Sequence, residues 1–511
     1  MRGLLAAALV ASSCAPAATV PSGTAAAVPD AGPGAPDAGS GVPDAGTPPA
    51  PPAVREVNPD APYPGVAPPT VLEPDTKTLL AVSPDGRHAV VSKDVLRFCT
   101  GNPHSGPPCD PSYDVPLRLV SPGSGSLALG VSGRSAVFSG DGRFLFVSGS
   151  GGNFIAHADG TGLRPNPQFR LLGGWLYSWR NGDLVRQSEL DDEPSLVIAA
   201  PDNVRATPSP DGESIAYCPS SGRCFLQSPI GAPPVPIPSG TTMWWAPEGI
   251  WLFIWPCTFV DLTAKAVSVC DSIAPGTWAQ RVGETVAFVS ARGAGLDVHV
   301  RNLATSTEAV FPAPPSAAGI WLSPDARRIL AFIAESTDPA GPTTLLEAPS
   351  SGGTWMTLGS NVERWSMSAD SRFVGMARLQ GQPQISVDGA PGVEVGAPGL
   401  DLRGGLAPMF EPADGFGKAV FYEWDPGRMG LHSVIGNADG SGDWMRLPKG
   451  ADCLEWRGHT ALCWNGNLYA VRGEQTGLLA RGANGYTVAP AAGKIFFVGP
   501  AGLSSVDLPG P

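Results

Sequence analysis

Five aspartates recur in one local setting: Ser83-Pro84-Asp85-Gly86, Ser139-Gly140-Asp141-Gly142, Ser209-Pro210-Asp211-Gly212, Ser323-Pro324-Asp325-Ala326 and Ser368-Ala369-Asp370-Ser371. Sets of carboxylates can do acid/base work on a glycosidic bond, but two of them must then flank that bond, roughly 5–10 Å apart. These five hold the same turn position in separate units, which spreads them out, so turn capping is their expected role. The six histidines, His88, His104, His157, His299, His432 and His459, each stand alone in their local sequence. No Gly-x-Ser-x-Gly elbow, His-Glu-x-x-His helix or Gly-x-x-x-x-Gly-Lys loop occurs. The expectation is a chain that is not an enzyme, with no catalytic residues, no metal and no cofactor. The alternative is a lyase or glycoside hydrolase whose site is assembled across a channel from several units.

Two other residue types could carry function. Met243-Trp244-Trp245, Trp251 and Trp255 form the densest aromatic cluster, on two strands around Pro247-Glu248-Gly249. Strand alternation sends Trp244 and Trp245 to opposite faces, so one of the four can offer a flat apolar surface to a saccharide ring, a Pro-rich peptide or a protein partner. Packing between repeats is the plainer role. Apart from Cys14, eight cysteines fall into four sequence-local pairs around turns: 99–109, 218–224, 257–270 and 453–463. Cys99, Cys109, Cys218, Cys224, Cys257, Cys270, Cys453 and Cys463 are therefore expected as hairpin disulfides formed in an oxidising compartment. No Cys-x-x-Cys spacing suggests metal instead.

The chain of 511 residues holds 65 Gly and 56 Pro, is 15% charged and carries a net charge of −13. That composition excludes a helical bundle, and an acidic chain with no Lys/Arg run has no footprint for nucleic acid. Residues 1–13 read as a signal peptide: Met1-Arg2-Gly3, a short apolar run, and small residues before Cys14. The run before Cys14 resembles the bacterial lipobox, which implies cleavage there and lipid on its thiol; Ala15 then implies outer-membrane sorting. Lipid would be the sole membrane attachment, and the protein is expected in the cell envelope, facing periplasm or cell surface. Residues 14–66, rich in Pro, Ala, Gly and Asp, read as a disordered tether.

Beyond the tether one pattern repeats: apolar run, Ser-Pro-Asp-Gly-type turn, polar residue, apolar run. Weaker copies fall at Gly173-Gly174, Pro247-Glu248-Gly249, Gly283-Glu284, Pro412-Ala413-Asp414-Gly415, Arg457-Gly458 and Ala492-Gly493. About eleven hairpins at a spacing near forty residues predict an all-β chain, a β-propeller of four-stranded blades. Since ordinary propellers have roughly four to eight blades, two tandem rings are favoured, 67–315 and 316–511. In the alternative, 316–511 continues one large ring, and Pro69-Thr70-Val71-Leu72 supplies the missing strand of the last unit.

These hairpins resemble the TolB-like, WD-type propeller repeats of bacterial envelope proteins. So do Ile155-Ala156-His157-Ala158-Asp159-Gly160-Thr161-Gly162 and Val434-Ile435-Gly436-Asn437-Ala438-Asp439-Gly440-Ser441-Gly442, similar to the strand and Asp-Gly turn that follow the first hairpin of that repeat. The resemblance implies a propeller scaffold that binds an envelope protein or a cell-wall glycan. It carries no oligomeric state, and the chain lacks the α/β domain that precedes the propeller in TolB itself.

Overall fold

The repeated turns are built from two side chains each. Ser83, Ser139, Ser209, Ser323 and Ser368 are all buried. Each serine Oγ donates to the aspartate two residues on, at 2.6 Å for Asp85, Asp141 and Asp370 and 2.5 Å for Asp325, with the same bond to Asp211. That aspartate accepts the backbone N–H of the residue after the turn. Each serine oxygen in turn accepts the N–H five residues along. The fourth turn position needs left-handed backbone, met by Gly86 (φ 67°), Gly142 and Gly212, and at some strain by Ala326 and Ser371.

The computed structural model describes residues 53–509, apart from 97–113, 150, 167–169, 173, 181–182, 191, 200–204, 220–221, 239–242, 246–250, 255–257, 263–265, 270–279, 294, 303–304, 306, 335–342, 379–380, 398–399, 403–406, 412–416, 426–429 and 458. The signal segment, Cys14, Cys99, Cys109, Cys257, Cys270, His104 and Trp255 lie outside the described residues.

Eleven sheets of four-stranded antiparallel pattern follow one another along the chain, the blades of a β-propeller. Their first strands are Thr78–Val82, Ser135–Phe138, Arg170–Leu172, Arg205–Pro208, Met243–Trp245, Gln280–Val282, Ala317–Leu322, Val362–Met367, Met409–Phe410, Asp452–Arg457 and Tyr486–Ala489, here blades 1 to 11. The Ser-Pro-Asp-Gly-type turns, with Gly174, Gly283 and Ala492-Gly493, fall between the first and second strands of their blades; the anchors at 247–249, 412–415 and 458 lie outside the described residues. Blades pack face to face, and buried apolar clusters fill ten of the seams between neighbours, the one from blade 11 to blade 1 included.

The ends of the ring differ from two expectations. Packing is continuous across residue 315, where Val298 and Phe311 of blade 6 join Ile320 and Ile329 of blade 7 in one buried cluster. Tandem rings divided at 315 would instead pack blade 6 on blade 1 and blade 11 on blade 7. Blade 11 meets blade 1 through Leu503, Val91 and Val120, and its fourth strand is β2, Thr70–Glu73, paired antiparallel with Gly502–Asp507. The contacts thus fit the single-ring alternative, closed by the N-terminal strand named for it.

Residues 54–66, expected within the tether, are a strap. β1, Val54–Glu56, pairs in parallel with the outer strand Trp444–Arg446 of blade 9, and Pro62 bridges to Leu478 on blade 10. Val57 and Tyr63 are each 5% exposed, packed into the seams of blades 9/10 and 10/11. An open sheet edge offers unpaired N–H and C=O groups, and an extended chain with a few apolar residues satisfies them.

Candidate functional site

The five turn aspartates are spread over blades 1, 2, 4, 7 and 8, not gathered. Partial burial pushes Asp85, Asp141 and Asp325 up, but the hydrogen bonds from their serines and from the following backbone outweigh it and hold all three below the ordinary carboxylate range. They are turn caps, as expected.

Two of the cysteine pairs form disulfides. Cys218–Cys224 closes the turn between the second and third strands of blade 4, and Cys453–Cys463 links Cα partners on the first two strands of blade 10. Of the tryptophans, Trp245 is half-buried between blades 4 and 5, its Nε1–H donating to Thr207 O at 2.7 Å. It takes the packing role rather than the binding one. Trp244 and Trp251 stand on paired strands of blade 5.

A cleft of about 720 Å³, lined by charged and polar side chains, lies between blades 9 and 10, beside β1. On one wall Glu423 and His432 are cross-strand partners, 9% and 8% exposed. Arg446 clamps Glu423 with two bonds, Nε–Oε2 at 2.8 Å and Nη2–Oε1 at 2.7 Å, and sends Nη1 to Glu56 of the strap at 2.7 Å. These hydrogen bonds, against the cost of partial burial, hold the guanidinium above its ordinary value. One guanidinium between two carboxylates leaves a single negative charge, which Lys449 on the same wall offsets. His432 Nδ1 accepts the N–H of Gly450 at 2.9 Å, so the proton of the neutral ring sits on Nε2.

The facing wall comes from blade 10. Asn465 donates to Lys449 O at 3.0 Å, and Asn467 joins Tyr469 Oη at 3.3 Å while accepting the N–H of Gly482 at 2.9 Å. Pro59 and Pro448 add flat apolar surface. Both carboxylates are bonded to Arg446. Beside the paired charges the cleft presents amides, an imidazole, a phenol and proline faces.

A second group lies on and beside the first strands of blades 9 to 11. Glu455 is bonded to Arg457 at 2.7 Å, and burial nonetheless pushes its carboxyl up. Burial, with Glu455 nearby, also raises Tyr486 of blade 11. Behind them Tyr422 is pushed up to about 12 by burial and by Asp452. Glu411, 9% exposed, meets His459 at 2.6 Å, and Trp456 donates to Met409 O at 3.1 Å. Elsewhere His88 meets Ser121 Oγ at 2.9 Å, and His299 is held between Ser290 and Glu308 on blade 6. Among the described residues no three His, Cys, Asp or Glu side chains gather around a point that could hold a metal ion.

Local sequence carries no signal for the cleft, because it draws on the strap, three strands of blade 9, and a turn and a strand of blade 10. Of its residues only His432 stood out beforehand.

No family model matches the chain, and no curated protein matches it. Among solved structures, a eukaryotic initiation factor is 12% identical over 62% of this chain and 87% of its own, with a TM-score of 0.36. The tricorn protease is 11% identical over 85% of this chain and 52% of its own, TM-score 0.30. The β-propeller domain of the Trilobed protease from Pyrococcus furiosus, described as having an open velcro topology, is 13% identical over 44% and 78%, TM-score 0.28. Such slight likenesses carry no argument about activity; the propeller rests on the sheets and seams themselves.

Proposed function

We propose that this chain is a TolB-like envelope lipoprotein, held by lipid on Cys14, whose propeller binds a cell-wall glycan in the cleft between blades 9 and 10. The observation that carries the reading is the lining of the cleft: the charges of Glu423, Arg446 and Glu56 are paired with one another, and Asn465, Asn467 and two prolines line the space beside them, their amides held in place by bonds within the chain. Sugars are recognised in this way, by amide and imidazole hydrogen bonds plus a flat apolar face. The lipobox and the Pro-rich segment before the strap support an envelope location.

Calorimetric titration of a soluble Cys14→Ala form with peptidoglycan fragments tests the reading. Binding by the parent chain, weakened about tenfold in Asn465→Ala through loss of roughly 1.4 kcal/mol, is the expected result. Equal affinity in Asn465→Ala and His432→Gln, or no binding to any fragment, would remove the glycan from this cleft and return an envelope protein as the partner.

The raised carboxyl of Glu455 beside Arg457 and Tyr486 favours a second reading, a channel enzyme acting on the same class of polymer. It predicts glycan turnover that Glu455→Gln abolishes.

A further inference from the structure

Three residues of blade 6 form a hydrogen-bonded chain on one face of the sheet. Ser290 stands on strand Thr285–Arg292, His299 on Gly295–Asn302 and Glu308 on Glu308–Pro312. Ser290 Oγ lies 2.7 Å from His299 Nε2, and His299 Nδ1 lies 2.8 Å from Glu308 Oε1. Phe288, the cross-strand partner of His299, stacks on the imidazole with centroids 4.6 Å apart and planes 9° from parallel, which fixes the ring. Hydroxyl to Nε2 and carboxylate to Nδ1 is the arrangement in which a carboxylate orients an imidazole and the imidazole takes a proton from a serine. The three recur at intervals of nine residues, one strand plus one turn, so a simple meander assembles them without a nucleophile elbow.

We propose that Ser290 is a nucleophile, with His299 as its base and Glu308 as the positioning residue, acting on short-chain carboxylic esters. Ser290 is 9% exposed, which admits a small acyl group and leaves the alcohol part outside. Val310, 52% exposed and paired with His299 across the sheet, offers that acyl group an apolar contact. Arg292 stands two residues on from Ser290 on the same face, its side chain 72% exposed and 3.5 Å from Asp297. It is the cation available to the carbonyl oxygen as negative charge develops there.

The step balances with water as the second substrate. Ser290 Oγ bonds to the acyl carbon as its proton passes to Nε2. The ester C–O bond then breaks, and the proton moves from Nε2 to the departing alkoxide, releasing the alcohol. Water, deprotonated by the same nitrogen, attacks the acyl carbon, the bond to Ser290 breaks, Oγ recovers the proton, and the carboxylic acid leaves.

The test is labelling of the purified full chain with a fluorophosphonate, mapped by mass spectrometry, alongside hydrolysis of p-nitrophenyl acetate. The expected result is one adduct, on Ser290, absent in Ser290→Ala, with labelling slowed at least tenfold in Glu308→Gln and largely restored when the carboxylate is kept in Glu308→Asp. Ester hydrolysis should fall in parallel, chiefly in kcat. Two results overturn the proposal: no adduct on Ser290 in a chain whose circular dichroism is that of a folded β protein, or His299→Gln labelling as fast as the parent.

Discussion

If the N-terminal strand is what holds the ring shut, then tying it in place should stabilise the whole propeller. Thr70 of β2 and Ser505 of the last strand are Cα partners, so Thr70→Cys with Ser505→Cys places a disulfide across the closure. The bond would enclose roughly 435 residues, and removing that loop's freedom from the unfolded chain is worth about 20 cal/mol/K, or ~6 kcal/mol at 25 °C. With an unfolding entropy of about 2.1 cal/mol/K per residue over roughly 370–460 ordered residues, the midpoint should rise by about 6–8 °C. The assay is thermal unfolding of the double variant, with the bond verified by mass spectrometry, against the same protein held reduced and against the parent under both conditions. A verified bond that moves the midpoint by less than about 1–2 °C would refute the reasoning. The chain would then be coming apart at another seam before β2 leaves its place.

Gly86 sits at the same closure with φ 67°, and a Cβ there would come 2.6 Å from Cβ of Ala492 on blade 11. Gly86→Ala should therefore cost about 2 kcal/mol or more, part backbone strain of ~1–2 kcal/mol and part clash, and adding Ala492→Gly should recover only the clash. Denaturant midpoints check this, and a double variant no better than the single would contradict it. Asp141 gives an acid-side test. Its folded carboxyl is held below the unfolded value, so the stability it contributes is present above about pH 4 and lost as pH falls through the folded value. Asp141→Asn should be less stable than the parent by about 1 kcal/mol at pH 7, and the gap should close by about pH 2–3. A gap that is constant over pH 2–7 would show that the charge plays no part.

What could be read beforehand follows from the range of the physics involved. Ser-Pro-Asp-Gly states its turn within four residues, and its five copies each join the first and second strands of a blade. The pairs Cys218–Cys224 and Cys453–Cys463 were legible for the same reason, since each closes a segment shorter than one blade. The strap was not. Val54, Val57 and Tyr63 are sparse apolar residues among prolines, and they acquire meaning only against edges made some 390 residues later. Ring closure was legible only as a choice, because residue 315 looks like any other link between blades until blade 6 is seen packed on blade 7. The cleft was hidden because Glu56, Glu423, Arg446 and Asn467 meet through the ring and not through the chain. Ser290, His299 and Glu308 do carry a signal, their nine-residue interval, but one that becomes chemistry only once three strands lie side by side.

The strap and β2 are made first and satisfied last. Roughly 430 residues separate β2 from the strand that receives it, so at about 5–20 residues per second the ribosome needs some 20–90 s before a partner exists. During that interval blade 1 has a neighbour on one side only, and every finished blade leaves the growing arc with an uncovered face. A chain stalled or cut before residue 502 completes ten blades at most and never seals. The strand Gly502–Asp507 thus acts as a completion mark: only a chain that has reached it hides its arc ends and β2, and shorter chains keep both on display to proteases and chaperones.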